Sequence, residues 1–132
     1  MTLNTLSIAA ARDLLRKREI SAVDLTMSCL SAIDASDELG AFVHRTPDLA
    51  LEQARAADAR LAAGGAPDLC GIPLGIKDLF CTRGVPAQAA SNILRGFRPE
   101  YESTVTAPAS NRRAVTVDSY SGRKPRRMFD AA

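Results

Sequence analysis

The run Leu69-Cys-Gly-Ile-Pro-Leu-Gly-Ile-Lys-Asp-Leu-Phe-Cys81 constrains this chain more than any other stretch. It is almost wholly apolar, and its two glycines and one proline leave no helical period. It reads as a buried strand, with a close backbone approach at Gly75. The whole chain has 132 residues, enough for one modest domain and too few for two.

Lys77 and Asp78 are the only charges in that run. A lysine set between Ile76 and Leu79-Phe80 is costly to bury unless it is paired or neutral. Desolvation favours the neutral amine, which is how lysines come to act as general bases near neutral pH. On a strand the two side chains point to opposite faces, so Asp78 is not automatically the partner of Lys77. The structural alternative has Lys77 at a strand end, its stem on apolar surface and its amine in water, with Asp78 starting a turn. From the residues alone both readings stand.

The segments before this run read as helices. Ser7 caps a first one, with Ile8, Ala11, Leu14 and Leu15 on one face and basic residues in its last turns. Ser21 opens a second, with Asp24 in a capping-box position and Ala22, Leu25, Cys29 and Ile33 at helical spacing. So short a link predicts an antiparallel pair. Asp34 to Gly40 is a turn, and Ala41 to His44 a short extended segment. Thr46-Pro47 starts a third, alanine-rich helix over about residues 48–63 that stops at Gly64-Gly65. On it Glu52, Arg55, Asp58 and Arg60 read as a solvated face. Thr82 to Pro86 is a turn, Ala87 to Leu94 a short helix and Pro99 to Thr106 a loop.

Composition closes off other classes. Apolar residues make up 46% and charged ones 24%, so the chain is not wholly disordered. With no Trp, two Tyr and four Phe, its core must come from Leu, Ile, Val and Ala. Cys29, Cys70 and Cys81 form no CxxC, and His44 is the only histidine, so zinc sites built from several histidines are excluded. No run approaches the ~18 apolar residues of a membrane span, and the N-terminus lacks a leader pattern. A reduced, cytoplasmic protein is the expectation.

Beyond Lys77 the order of residues resembles the amidase signature family. Its pattern runs L-x-G-I-P-[IVL]-x-[IV]-K-D, then T-x-G, then S-x-x-L, then a T-V stretch. Leu69, Gly71, Ile72, Pro73, Ile76, Lys77 and Asp78 match the first part, and Thr82 and Gly84 the second. Ser91, Leu94, Ser103, Thr104 and Val105 match the remainder. The helix pair, Leu39-Gly-Ala-Phe42 and Gln53 to Leu61 are similar to the start of the A subunits of bacterial glutamyl-tRNA(Gln)/aspartyl-tRNA(Asn) amidotransferases. The resemblance covers about residues 3–107.

The resemblance implies an α/β fold, here a truncated one: an N-terminal helical layer, one or two strands of the mixed sheet around Leu74 and Val115, and an irregular tail. It makes Lys77 the general base of a Ser–cis-Ser–Lys triad that hydrolyses glutamine, with both serines absent from this chain. It implies no cofactor or metal here, while ATP and Mg2+ serve the full complex. The partners implied are the B and C subunits of the amidotransferase and, through the complex, misacylated tRNA.

The match stops near Ala107, giving residues 1–107 as the N-terminal part of an amidase domain and 108–132 as a divergent tail. The tail holds six of the seventeen basic residues and two of the fifteen acidic ones, a local charge of +4 that leaves −2 for the rest. The loss of pattern is what a frameshift would produce, and the downstream gene read in the other frames is the test. Ser119-Tyr-Ser-Gly122 lacks the Gly-Ser-rich character of the triad segment. Two other classes stand beside an inactive amidase fragment. One is a small binding protein whose tail touches RNA, though such tails are more often only solvated and direct nucleic-acid binding is not expected. The other is an enzyme using Cys70 or Cys81, for which His44 is the sole imidazole.

Overall fold

Ser7 and Ser21 start the first two helices as their spacing predicts. The computed structural model describes residues 2–108 and the backbone of 115–120. Helix α1 spans Ile8–Lys17, and the Ser7 hydroxyl accepts from the Ala10 amide at 3.2 Å. It ends at Arg18, a left-handed residue with φ 59° whose guanidinium donates to the Ala62 carbonyl at 2.8 Å. Helix α2 spans Ala22–Ala35, and Ser21 Oγ accepts from Asp24 N at 2.9 Å and donates to the Asp24 carboxylate at 2.6 Å. This is the side-chain half of a capping box.

Strand β1 is Phe42–Arg45, and helix α3 is Pro47–Ala63 with proline in its first turn. Strand β2 is Pro73–Lys77 and strand β3 Val115–Tyr120. The sheet order is β1-β3-β2, antiparallel between β1 and β3 and parallel between β2 and β3. The expected strands near Leu74 and Val115 are therefore both present. β3 runs on past Val117 to Tyr120 and holds the central position. The rest of the tail, including the Ser121-Gly122 part of the serine candidate, lies outside the described residues.

The core is a helix-layer core. Ala11 and Leu15 of α1, Ala22, Leu25 and Leu30 of α2, and Ala50, Ala54 and Ala57 of α3 are buried together with Cys70 and Ile72. The three alanines lie at i, i+4 and i+7, a stripe of small side chains that lets α2 approach α3 closely. Consequently the main helix pairing is α2 with α3, where the short link predicts α1 with α2. Asp58 reinforces it. Its carboxylate accepts from Ala22 N at 2.6 Å and Val23 N at 3.2 Å, satisfying amides at the start of α2 that have no partner within the helix. The reading of Asp58 as part of a solvated face is thus corrected.

Gly71 is where the chain crosses from this core into β2. Its φ is +78°, and a Cβ there would lie 2.9 Å from Ala22 Cβ and 3.5 Å from methyls of Leu15 and Leu61. The close approach in this segment is thus at Gly71, against side chains of all three helices. Gly75 is exposed on β2.

Candidate active site at the end of the second strand

Lys77 is the last residue of β2 and pairs in register with Tyr120, the last residue of β3. Both strands of this parallel pair therefore end together, at the carboxyl edge where open α/β sheets place their ligands. Lys77 is half-buried, and so are most residues of β2. The strand is less buried than its apolar sequence predicts, because helices cover Ile72 and the segment before it more fully than the strand itself.

The chain turns sharply after Lys77, with Phe80 N donating to the Lys77 carbonyl at 2.9 Å. Asp78 leaves the strand and is 5% exposed. Its Oδ1 accepts from Gln88 N at 3.0 Å, and its carbonyl accepts from Ala89 N at 2.9 Å. Asp78 thus clamps the loop over residues 86–91 against the end of β2. The sequence predicts a helix from Ala87 to Leu94, but only Asn92–Leu94 forms a single 3-10 turn. The reason lies beside the clamp: Ala89 and Ala90 are both left-handed, at φ 49° and 57°, which no right-handed helix tolerates.

The remaining matched residues gather around the same turn. Ser103 N donates to the Cys81 carbonyl at 2.8 Å, and Gly84 N to the Pro99 carbonyl at 2.9 Å. Thr106, 2% exposed, has Oγ1 within 2.8 Å of the Cys81 carbonyl and 2.6 Å of Glu102 Oε2, two acceptors for its one hydroxyl proton. Glu102 Oε1 in turn accepts from Arg83 N at 3.1 Å. Residues 99–106 are the loop that the sequence predicts, and they are folded onto 81–85. Asp78 and Thr106 carry that arrangement, and no local pattern in the sequence signals their burial.

The serines in this region have local duties. Ser91 Oγ accepts from Ile93 N at 3.3 Å, and Ser103 Oγ accepts from Thr106 N at 3.1 Å. The Thr82 hydroxyl is buried and has no hydrogen-bond partner among the described residues. Cys81 Sγ lies 3.6 Å from the Tyr101 hydroxyl, a contact that raises the Tyr101 pKa. Cys70 is buried, its thiol 3.8 Å from the Ala57 carbonyl. Cys29 is half-buried, and desolvation raises its pKa. His44 on β1 feels both Arg98 and Asp78. Burial and the Arg98 charge hold its pKa below the ordinary 6.5, with Asp78 opposing them. Among the described residues no group of three or more His, Cys, Asp or Glu could hold a metal ion. An open groove of about 400 Å³ lies at the α1–α2 turn, lined by Arg18, Ile20, Asp24, Asp58 and Leu61, and it shares no residue with the Lys77 end.

The family model for amidases matches residues 24–117, well over half of the chain. The chain belongs to the amidase family. As an amidase it is 69% identical over 115 residues to the A subunit of the glutamyl-tRNA(Gln) amidotransferase of Jannaschia sp. (strain CCS1), covering 87% of this chain and 23% of that one. It is equally similar to the protein of that name in Cereibacter sphaeroides (strain ATCC 17029 / ATH 2.4.9), at 69% over 117 residues, covering 89% and 24%. The chain thus spans about a quarter of the length of the curated relatives it matches. Among solved structures, the peptide amidase of Stenotrophomonas maltophilia superposes with TM-score 0.78 at 27% identity, covering 89% of this chain and 25% of that one. A chain from a vestigial protein complex that reveals the evolutionary origins of an s-triazine catabolic enzyme gives TM-score 0.81 at 29% identity, covering 87% and 26%. These likenesses support the amidase-signature α/β fold that the sequence predicts, matched over about a quarter of each solved chain. Among the described residues no helix is long and apolar enough to cross a membrane.

Proposed function

We propose that this chain carries the general-base lysine of the glutamine-hydrolysing amidase component of a cytoplasmic tRNA-dependent amidotransferase, and that it is inactive alone. The observation that carries the reading is Lys77, half-buried at the carboxyl end of the parallel β2–β3 pair, immediately before the clamped turn at Asp78. A neutral lysine amine there would accept a proton from a bridging serine. That serine would deprotonate a second one, which attacks the amide carbonyl of glutamine and releases ammonia. Ser91 and Ser103 each accept from a backbone amide of their own turn, and neither stands in a Gly-Ser-rich stretch of the kind that carries the triad serines. In this reading the B and C subunits and misacylated tRNA are partners through the complex. In the same reading ATP and Mg2+ serve the rest of that complex.

Two assays test the proposal. Purified chain and its Lys77→Ala variant should both fail to release glutamate from glutamine; turnover lost in the variant would reveal a complete site and overturn the claim of inactivity. A chimera carrying this chain's residues in place of the matching quarter of the Jannaschia protein should hydrolyse glutamine. Lys77→Ala should then lower its kcat by about 10²–10⁴-fold, the range for loss of a general base. A chimera indifferent to that substitution would remove Lys77 from the mechanism.

A further inference from the structure

Ser91 N donates to the Gln88 carbonyl at 2.8 Å and closes a β-turn over Gln88 to Ser91. Its central residues, Ala89 and Ala90, both have positive φ, the mark of a type I′ turn that glycine and asparagine favour. Both alanines are exposed, so burial of their methyls does nothing to offset the strain. Left-handed residues other than glycine last where neighbours over-determine them, and they gather at functional sites. Asp78 is such a neighbour. It accepts from Gln88 N through Oδ1 at 3.0 Å and from Ala89 N through its own carbonyl at 2.9 Å. It is 5% exposed, which keeps water from competing for either bond. On the strand side, pairing with Tyr120 of β3 and the bond from Phe80 N to its carbonyl hold Lys77. The backbone is thus tied down on both sides of the Lys77–Asp78 peptide.

We propose that Asp78 is a positioning residue for Lys77. By tying the strained turn to the end of β2, it fixes the backbone from which the lysine projects. The amine is thereby aimed at the hydroxyl whose proton it takes. The proposal rests on the reading of Lys77 as a general base. Hydrogen-bond geometry, and not charge, is what selects Asp78 for this duty. Both of its bonds go to amides of a loop ten residues further along the chain. A carboxylate charge beside an amine favours the protonated form, which cannot act as a base.

The chimera of this chain's residues with the Jannaschia protein reads the effect on turnover. Asp78→Ala should lower kcat for glutamine about 10–100-fold and leave KM within about twofold, because a misaimed base weakens the transition state and not substrate binding. Asp78→Asn keeps an acceptor oxygen for Gln88 N and should hold kcat within about threefold. Asp78→Glu keeps the charge but displaces the acceptor by a methylene, so it should fall with Asp78→Ala. It replaces that variant if Asp78→Ala does not fold. Gly71→Ala weakens the fold at the other end of β2 and should leave kcat within about twofold while folded, separating aim from stability. In the full chain alone, the Phe80 amide, bonded to the Lys77 carbonyl, should exchange faster in Asp78→Ala and at the native rate in Asp78→Asn. A Phe80 amide indifferent to Asp78→Ala overturns the proposal whatever the chimera does. Equal losses of kcat in Asp78→Ala and Asp78→Asn assign the effect to charge and overturn it too, as does a loss no larger than that of Gly71→Ala. A chimera indifferent to Lys77→Ala removes the base and, with it, the residue to be positioned. Failure of the Asp78 comparisons while Lys77→Ala still costs activity strikes the positioning role alone.

Discussion

Gly71 shows how one residue joins the helical layer to the sheet. Its positive φ disfavours any side chain, and the space its Cβ would need is taken by Ala22. Gly71→Ala therefore combines left-handed strain with overpacking and should destabilise the fold by about 2–4 kcal/mol. Urea denaturation followed by circular dichroism measures this, and an unchanged midpoint would mean that α2 moves aside freely. His44 gives a second residue-scale expectation. Its folded pKa lies below 6.5, chiefly because burial penalises the charged ring, so the unfolded chain binds the proton more readily. Stability is then fully present above the unfolded value and falls as pH drops through ~6.5 toward the lower folded pKa. Unfolding free energies at about pH 7.5 and 5.5 should differ in that direction, and His44→Gln should shrink the difference. A difference untouched by the substitution would belong to other groups.

At the scale of elements, the loop after β2 is held in a conformation that its own residues disfavour. Two successive left-handed alanines cost roughly 1–2 kcal/mol each, and the Asp78 clamp offsets part of that. Asp78→Ala leaves the Gln88 amide without its acceptor and should cost about 1–3 kcal/mol. Hydrogen exchange should quicken at Gln88 and Ala89 first, before the helical core is affected. Uniform acceleration across α2 and α3 would instead make Asp78 part of the global core. The helices behave differently, because their signals are local. Ser7, Ser21, Pro47 and Gly64 mark starts and stops that depend on neighbours within a turn, and the structure places the boundaries there.

For the whole molecule, the core lies among the three helices and the segment leading into β2, while much of the turn region after Lys77 faces water. The isolated chain should therefore self-associate in a concentration-dependent way, and Ile93→Asp with Phe97→Asp should suppress it. Sedimentation velocity over a range of concentrations provides the check. A monodisperse monomer that unfolds cooperatively would show those apolar side chains to be inert.

The helices, the strand at Leu74 and the family pattern around Lys77 were legible in the sequence. Caps, apolar periods and motif spacing are set by residues a few positions apart. The tertiary structure alone decided that Asp58 caps another helix, that α2 pairs with α3, and that Asp78 bends residues 87–91 out of a helix. Those contacts join positions ten to thirty-six residues apart, and a carboxylate's partner depends on which distant amides lose access to water. Lys77 divides along the same line: the pattern marked it as the residue to watch, and the ladder between β2 and β3 placed it at the carboxyl edge of the sheet.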